Sequence, residues 1–568
     1  MKRFIIISVL CLAGQALWGQ TYYDAETLGE NTYYGTARSI AMGNAMTAVG
    51  GDLGSIGINP AGSAVAGYSQ FTLTPAISIA TSKTSYTPVA GSPYTGSYND
   101  RYTRFTMPNF GVSINFKTSN LSGIKNFTIG LLGNSTNNFM STIYGGGPNS
   151  YTSMAGAYAV GADGYESSVL DRGDYNNFND WRSMVAFRSG LISTYGGHTN
   201  QYLGVTERHD PASGQTGLAG ELDQYYGQRT YGSKYDYIFN FGMNINDVFY
   251  LGGNIGITGV NYQYDYYIKE YALNPDDFPI EYADGTILKF DNSRYQYSLS
   301  NKASGVYLKA GFIWKPTEGL RIGAAIQTPT VIDITEENQH AAQVHYLEES
   351  SSEKSNVNEW HYRLRTPWRW NAGIAYTFGG FGMVSADYEM ADYKSMKYRT
   401  DMEGNYGSNS DYDGVNRAID MFGGLQQTIR LGAEVKPTPQ FSVRAGYNFF
   451  SNPETVMYDA VGVVNAVTYQ DVYNGNMSNS EFYAWENSLT GKEKLSRNRH
   501  MVSLGIGWSS KGSFFADLTG RMTSYDNKYL SLYEDYITDA SGNVTTYSPE
   551  VLSSPKLWDV VLTLGWRF

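Results

Sequence analysis

Fourteen times along this chain, apolar side chains recur at every second residue for about seven to eleven positions. "FTLTPAISIA" (71–80) sets Phe71, Leu73, Ile77 and Ile79 on one face, and "FGVSINF" (110–116) does the same with Phe110, Val112, Ile114 and Phe116. The series continues through 127–133, 235–245, 249–259, 306–314, 320–327, 370–378, 381–388, 428–435, 441–449, 501–508 and 513–522. It ends on "WDVVLTLGWRF" (558–568), where Val560, Leu562, Leu564, Trp566 and Phe568 share a face. A repeat of two is the signature of a strand with one apolar side. After the first twenty residues no stretch has the length and apolarity of a membrane-spanning helix. A chain of this kind enters lipid only as a closed barrel, because lipid offers no partner to unpaired backbone groups.

The connections support closure. Within successive pairs the links are short and turn-like: "ND" at 246–247, "KPTEG", "GG", "KPTPQ" and "SSKG", with a somewhat longer "KTSNLSGIK" joining the second segment to the third. Such sequences close hairpins. Between pairs the links are long, the longest spanning about 138–234 and rich in Tyr, Gly, Asn and Ser. Short turns on one side and long loops on the other characterise bacterial outer-membrane barrels. A soluble sandwich also alternates, but Trp314, Trp368, Tyr376, Trp508 and Trp566 fall near strand ends, as interfacial girdles do. The expected fold is therefore all-β, a 14-stranded antiparallel transmembrane β-barrel occupying 69–568.

The N-terminus is read separately. Lys2 and Arg3, an apolar run from Phe4 to about Ala13 and small residues near Gly19 make 1–19 a secretory signal peptide. Cys11, the single cysteine, lies inside it, so the expected mature chain has no thiol, disulfide or lipid anchor. Residues 20–68 hold no barrel strand. There "TARSIAMGNAMTAV" (36–49) predicts a short helix, and "GINPAGSAVAG" (57–67) places Asn59, Pro60 and Ala61 among side chains too small for an ordinary core. Pro60 fixes its own φ and pushes Asn59 toward extended backbone. Such a compact, rigidly turned segment fits a barrel lumen as a plug; an ordinary linker turn is the alternative.

Composition narrows the function. A formal charge of -12, from 41 Lys+Arg against 53 Asp+Glu, argues against a nucleic-acid partner, which calls for a clustered basic surface. There is no Gly-x-Ser-x-Gly elbow and no HExxH among the six histidines, so neither an enzyme nor a metal or cofactor is expected. If the apolar face meets lipid, Lys309, Arg321, Arg369, Arg430, Arg444, Arg521 and Arg567 point inward with Glu434, Asp387 and Asp517. Arg321, Arg430 and Arg444 are then candidates for holding a cargo carboxylate. The alternative is a lattice of mutually paired lumen charges, in which Arg430, Glu434 and Arg444 take part.

With "NPAG" (59–62) closing an N-terminal segment, fourteen strands after it and hairpins such as "GFIWKPTEGLRIGAAIQTP" and "LGAEVKPTPQFSVRAGYNFFSNP", the chain resembles the FadL-type outer-membrane transporters of long-chain fatty acids and other hydrophobic molecules. The resemblance implies passive uptake through a monomeric barrel in the outer membrane of a Gram-negative bacterium. It makes 20–68 a hatch carrying Asn59, Pro60 and Ala61, and it implies sideways release into outer-membrane lipid through a kinked third strand, about 124–137. Gly130 and Gly133 are the candidates for that kink, since glycine weakens a ladder, although glycine also simply relieves crowding. The terminal Phe568 looks like the signal read by the barrel-assembly machinery. The long outer loops leave a second function open, a barrel of the same fold serving as partner or shuttle subunit in protein export. Within the 138–234 loop, "SMAGAYAV" and "WRSMVAFRSGLI" would either line a capture groove or pack the loop onto itself.

Overall fold

The computed structural model describes residues 20–568 apart from 90–91, 94, 121, 176–179, 282–284, 403, 405–406, 454–470, 479, 482–497, 534 and 539–543. The signal peptide expected over 1–19 lies outside the described residues. The wall strands, in order, are β1 (Gln70–Thr87), β2 (Thr95–Lys117), β3 (Ile124–Asn137), β4 (Leu222–Ile245), β5 (Phe249–Ala272), β6 (Ile287–Trp314) and β7 (Leu320–Gln327). They continue with β8 (Arg369–Thr377), β9 (Gly382–Asp392), β10 (Leu425–Val435), β11 (Phe441–Phe450), β12 (Arg499–Ser509), β13 (Phe514–Tyr525) and β14 (Glu550–Arg567). Each pairs antiparallel with the next, and β14 returns to β1 with Gln70 opposite Arg567. The sheet closes, so no backbone edge faces lipid at this level.

Turn chemistry fixes the registers at the short end. Asn246 and Asp247 both adopt positive φ (57° and 56°), the conformation of a two-residue turn matching strand twist. Asn244 then lies opposite Tyr250, and that register places Phe239, Phe241, Ile255 and Ile257 outward. Outward apolar residues ring the barrel, among them Phe105, Leu131, Leu308, Ile374, Val443, Leu504 and Val560. Aromatic rings gather at the margin of this belt: Phe249 stacks on Trp314 at 6.1 Å and Phe514 meets Trp566 at 5.6 Å. An apolar belt edged by aromatics is the surface of a membrane-spanning barrel.

Opposite the short turns the wall rises well beyond the belt. β4 and β5 run 24 residues each and β6 runs 28, against about ten for a membrane crossing. The strand Val331–Tyr346 extends the line of β7 and pairs with upper β6, while Asn358–Arg365 extends β8. Pro329 and Pro367 sit in the interruptions between lower and upper segments, where a missing N–H is tolerated. The longest loop is correspondingly shorter than the expected 138–234, because β4 begins at Leu222. The upper strands are rich in Tyr and polar residues and lack the apolar stripe of the belt.

The N-terminal segment fills the lumen. It forms four short helices, α1 (Tyr22–Gly29), α2 (Ala37–Ala41), α3 (Leu53–Ile56) and α4 (Gly62–Val65). The helix expected over 36–49 stops at Ala41 because Gly43 and Asn44 turn left-handed, with φ of 61° and 58°. Two further helices, α5 (Met154–Ala162) and α6 (Trp181–Arg188), roof the barrel. Their Met154, Tyr158, Met184 and Val185 are buried in one cluster with Tyr295 and Tyr346 of the upper wall, so these segments pack the lobe onto itself. Another helix, α7 (Asp413–Phe422), buries Val415, Ile419 and Phe422 against Tyr22 and Leu28 of α1, pinning the plug from above.

Candidate functional site

Asn59 is fully buried and holds the plug to the wall. Its side-chain amide donates to the Thr47 carbonyl at 2.7 Å and to the Phe312 carbonyl of β6 at 3.0 Å, and its oxygen accepts from the Ala61 amide at 3.1 Å. The Pro60 carbonyl accepts from the Asn240 side chain of β4 at 3.1 Å. The elbow comes this close because the wall lacks side chains there. Gly242, Gly252 and Gly311 are direct cross-strand neighbours, as are Gly323 with Gly373 and Gly432 with Gly446. A methyl group on Gly252, Gly311, Gly323 or Gly446 would overlap Pro60, Asn59, Thr47 or Gly43. Backbone of the plug thus meets backbone of the wall along a seam of glycines.

Charges lock the same contact. Arg38 of α2 reaches Glu434 at 3.0 Å, Arg444 binds Glu434 at 2.6 Å and Asp517 at 2.5 Å, and Arg430 binds Glu389 at 2.6 Å. Arg321 donates to the Val49 carbonyl at 2.6 Å and Lys309 to the Gly57 carbonyl at 2.7 Å. The three arginines named as carboxylate binders are therefore committed to wall carboxylates or to the plug itself. The Arg444–Glu434 pair forms as the lattice reading expects, but Arg430 turns instead to Glu389.

The wall parts at β3. Gly130 and Gly133 sit in unbroken ladder, paired with Ser113 and Phe110 on one side and with Asn240 and Tyr237 on the other. They do not bend the strand; Gly133 makes room for the Phe110 ring. The irregularity comes later, between Ser135 opposite Tyr235 and Asn137 opposite Lys234, which leaves Thr136 as an extra residue. Such a bulge bends its strand. Residues 138–140 then leave the sheet, with Phe139 at φ 53°, its amide donating to the Asn137 side chain and the Met140 amide to that of Asn138. The continuing strand Ser141–Asn149 pairs with β4 and not with β2. β2 loses its β3 partner beyond Asn109, next to Pro108, which has no N–H to offer. Over Thr95–Pro108 the wall is a ladder on one side only.

Side chains bridge this parting. Tyr235 donates to the Met107 carbonyl at 2.5 Å, Arg104 to the Gly232 carbonyl at 2.8 Å, and Thr142 to Asp100. Behind it lies a lumen cavity of about 250 Å³ lined by Phe139 and Met140 of the break, Tyr262 and Tyr264 of β5, Arg499 and Tyr525. Its floor is the plug, where Glu30 pairs with Arg499. The plug also touches the break directly: the Thr32 amide donates to the Thr136 carbonyl at 2.7 Å and the Tyr34 amide to the Ser135 carbonyl at 2.9 Å. The bulged residue is thus held by the plug. Sequence reading missed this point, although "NSTNNF" (134–139), with two asparagines able to cap their own backbone, carried the signal.

These features define a membrane-spanning barrel of fourteen strands with an internal plug and a parted third strand. In fold the chain is similar to a Pseudomonas aeruginosa FadL homologue, at 12% identity and TM-score 0.46, over 95% of this chain and 99% of that one. It is also similar to the Ralstonia pickettii toluene transporter TbuX (12%, TM-score 0.41, 94% and 98%) and to the Pseudomonas putida toluene transporter TodX (11%, TM-score 0.42, 95% and 99%). No protein-family model matches the chain, and no curated protein does.

Proposed function

We propose that this protein is a FadL-type transporter in the outer membrane of a Gram-negative bacterium, passing hydrophobic or amphipathic small molecules inward without an energy source. The cargo class includes long-chain fatty acids. The observation that carries this reading is the parting of β2 from the third strand beside a lumen cavity. A molecule leaving there enters the bilayer sideways and avoids the aqueous compartment below, whereas the plug, sealed to the wall along the glycine seam, blocks an axial path.

The test is uptake of radiolabelled oleate by cells lacking the protein and complemented with wild type, Pro60→Leu or empty vector. Wild type restores uptake, and Pro60→Leu at equal surface expression loses it. Folded wild-type barrel in the membrane with no restored uptake rules out fatty acids as cargo. The sideways route has its own check, since no cysteine follows residue 11. Tyr235 reaches the Met107 carbonyl across the parting at 2.5 Å, so a Met107→Cys/Tyr235→Cys pair bridged by a short thiol cross-linker stops uptake, and cleaving the linker restores it. Unchanged uptake in the cross-linked barrel eliminates this exit.

A further inference from the structure

Above the belt, upper β2 overlaps the outside of the neighbouring wall. Between its inner face and the outer face of β4–β6 runs a slot of about 720 Å³. The outward apolar belt of those strands ends at Tyr237, Ile257 and Val306. Tyr231 and Asp265 lie six and eight residues further up, roughly 20 to 26 Å along the strands at ~3.3 Å per residue. The slot therefore opens above the hydrocarbon layer, on the polar side of the belt.

Its lining is unlike the belt. The Arg229 guanidinium stands 5.1 Å from the Tyr102 ring centre and that of Arg294 stands 4.8 Å from the Tyr267 ring centre. Tyr267 lies against Gly227, where a side chain would collide with it. Among the described residues neither guanidinium meets a carboxylate; Arg294 donates to Gln296 at 2.9 Å and its Nε is buried without a partner. Guanidinium stacked on a ring keeps its fork of donors free for an oxyanion. Asp100 and Asp265 supply acceptors in the same slot. Rings beside donors and acceptors of both signs match a sugar, whose C–H face is apolar and whose rim is hydroxylated, and the Arg229 fork with the remaining Arg294 donors matches an acidic substituent on it.

We propose that this slot binds an acidic saccharide, with Arg229 and Arg294 on its phosphate or carboxylate and Asp100 and Asp265 on its hydroxyls. The ligand is either the headgroup of a membrane glycolipid or a free sugar. The purified barrel in detergent is titrated calorimetrically with a deacylated glucosamine disaccharide bisphosphate, with the same disaccharide lacking phosphate, and with its acylated form. Wild type binds the bisphosphate saturably, and removing the phosphates weakens binding at least tenfold. Arg229→Gln/Arg294→Gln, checked for unchanged circular dichroism, loses the same factor and no longer distinguishes the two sugars. Much tighter binding of the acylated form supports the glycolipid source, equal binding the free one. Absence of saturable binding by wild type, or a double variant that binds as wild type does, overturns the proposal. Uptake is not measured, so its failure and that of the transport reading are separate results.

Discussion

Asn59 makes three hydrogen bonds while fully buried, donating two of them to the Thr47 and Phe312 carbonyls. Asn59→Ala strands those carbonyls, at a cost of about 1–3 kcal/mol. The loss falls on the plug: hydrogen exchange across 44–65 accelerates while the wall ladders stay protected. Gly311→Ala drives a methyl into the same asparagine from the other side, and an overpacked contact of this kind costs about 1–3 kcal/mol. Equal protection of 44–65 in either variant would remove the elbow from any anchoring role. At this scale the sequence shows which way a side chain points and little about whom it meets. Alternation turns Arg430 inward, but its partner Glu389 and the contact of Arg38 with Glu434 depend on strand register and plug placement, which no local pattern encodes.

Among elements, the outer lobe carries a titratable lock. Glu207 accepts from the Gly204 amide at 2.8 Å, beside Gly156 of α5. Burial, reinforced by the charge of Asp535 and opposed by the Gly204 amide, pushes its carboxyl up to about 8 from 4.5. A raised folded-state value means that stability is full below about 4.5 and is lost as pH rises through about 8. Exchange of α5 amides, corrected for intrinsic rates, therefore quickens between about pH 5 and pH 8, by up to about tenfold per pH unit, and levels off above that. Glu207→Gln flattens that profile; a wild-type profile that is already flat contradicts the assignment.

The break in β3 belongs to the same scale. Deleting Thr136 removes the extra residue and, with it, the carbonyl that takes the Thr32 amide. Uptake falls in the deletion variant while the barrel still assembles, and full uptake would separate the bulge from transport. Glycine drew attention to Gly130 and Gly133 because it weakens ladders in general. Here the strand bends where an inserted residue and two self-capping asparagines remove pairing, and counting residues against an unseen partner strand is beyond a single sequence.

For the whole molecule, all fourteen strands were legible, because lipid enforces a strict apolar stripe on every one of them. Their height was not. Above the belt β4, β5 and β6 continue under rules set by lobe packing and water, and the stripe that marked them fades. The presence of the plug followed from its small residues and rigid turn, yet its route along the wall rests on contacts hundreds of residues apart, such as Arg38 with Glu434.

The glycine seam has a consequence for ancestry and engineering. Where backbone lies on backbone, each partner is moulded to the other, and a substitution on one side is tolerated only with a matching retreat opposite. Plug and barrel therefore change as a matched pair. A plug borrowed from a different barrel, even one of equal length bearing the same Asn-Pro-Ala, would arrive with its bulk in the wrong places and find no berth.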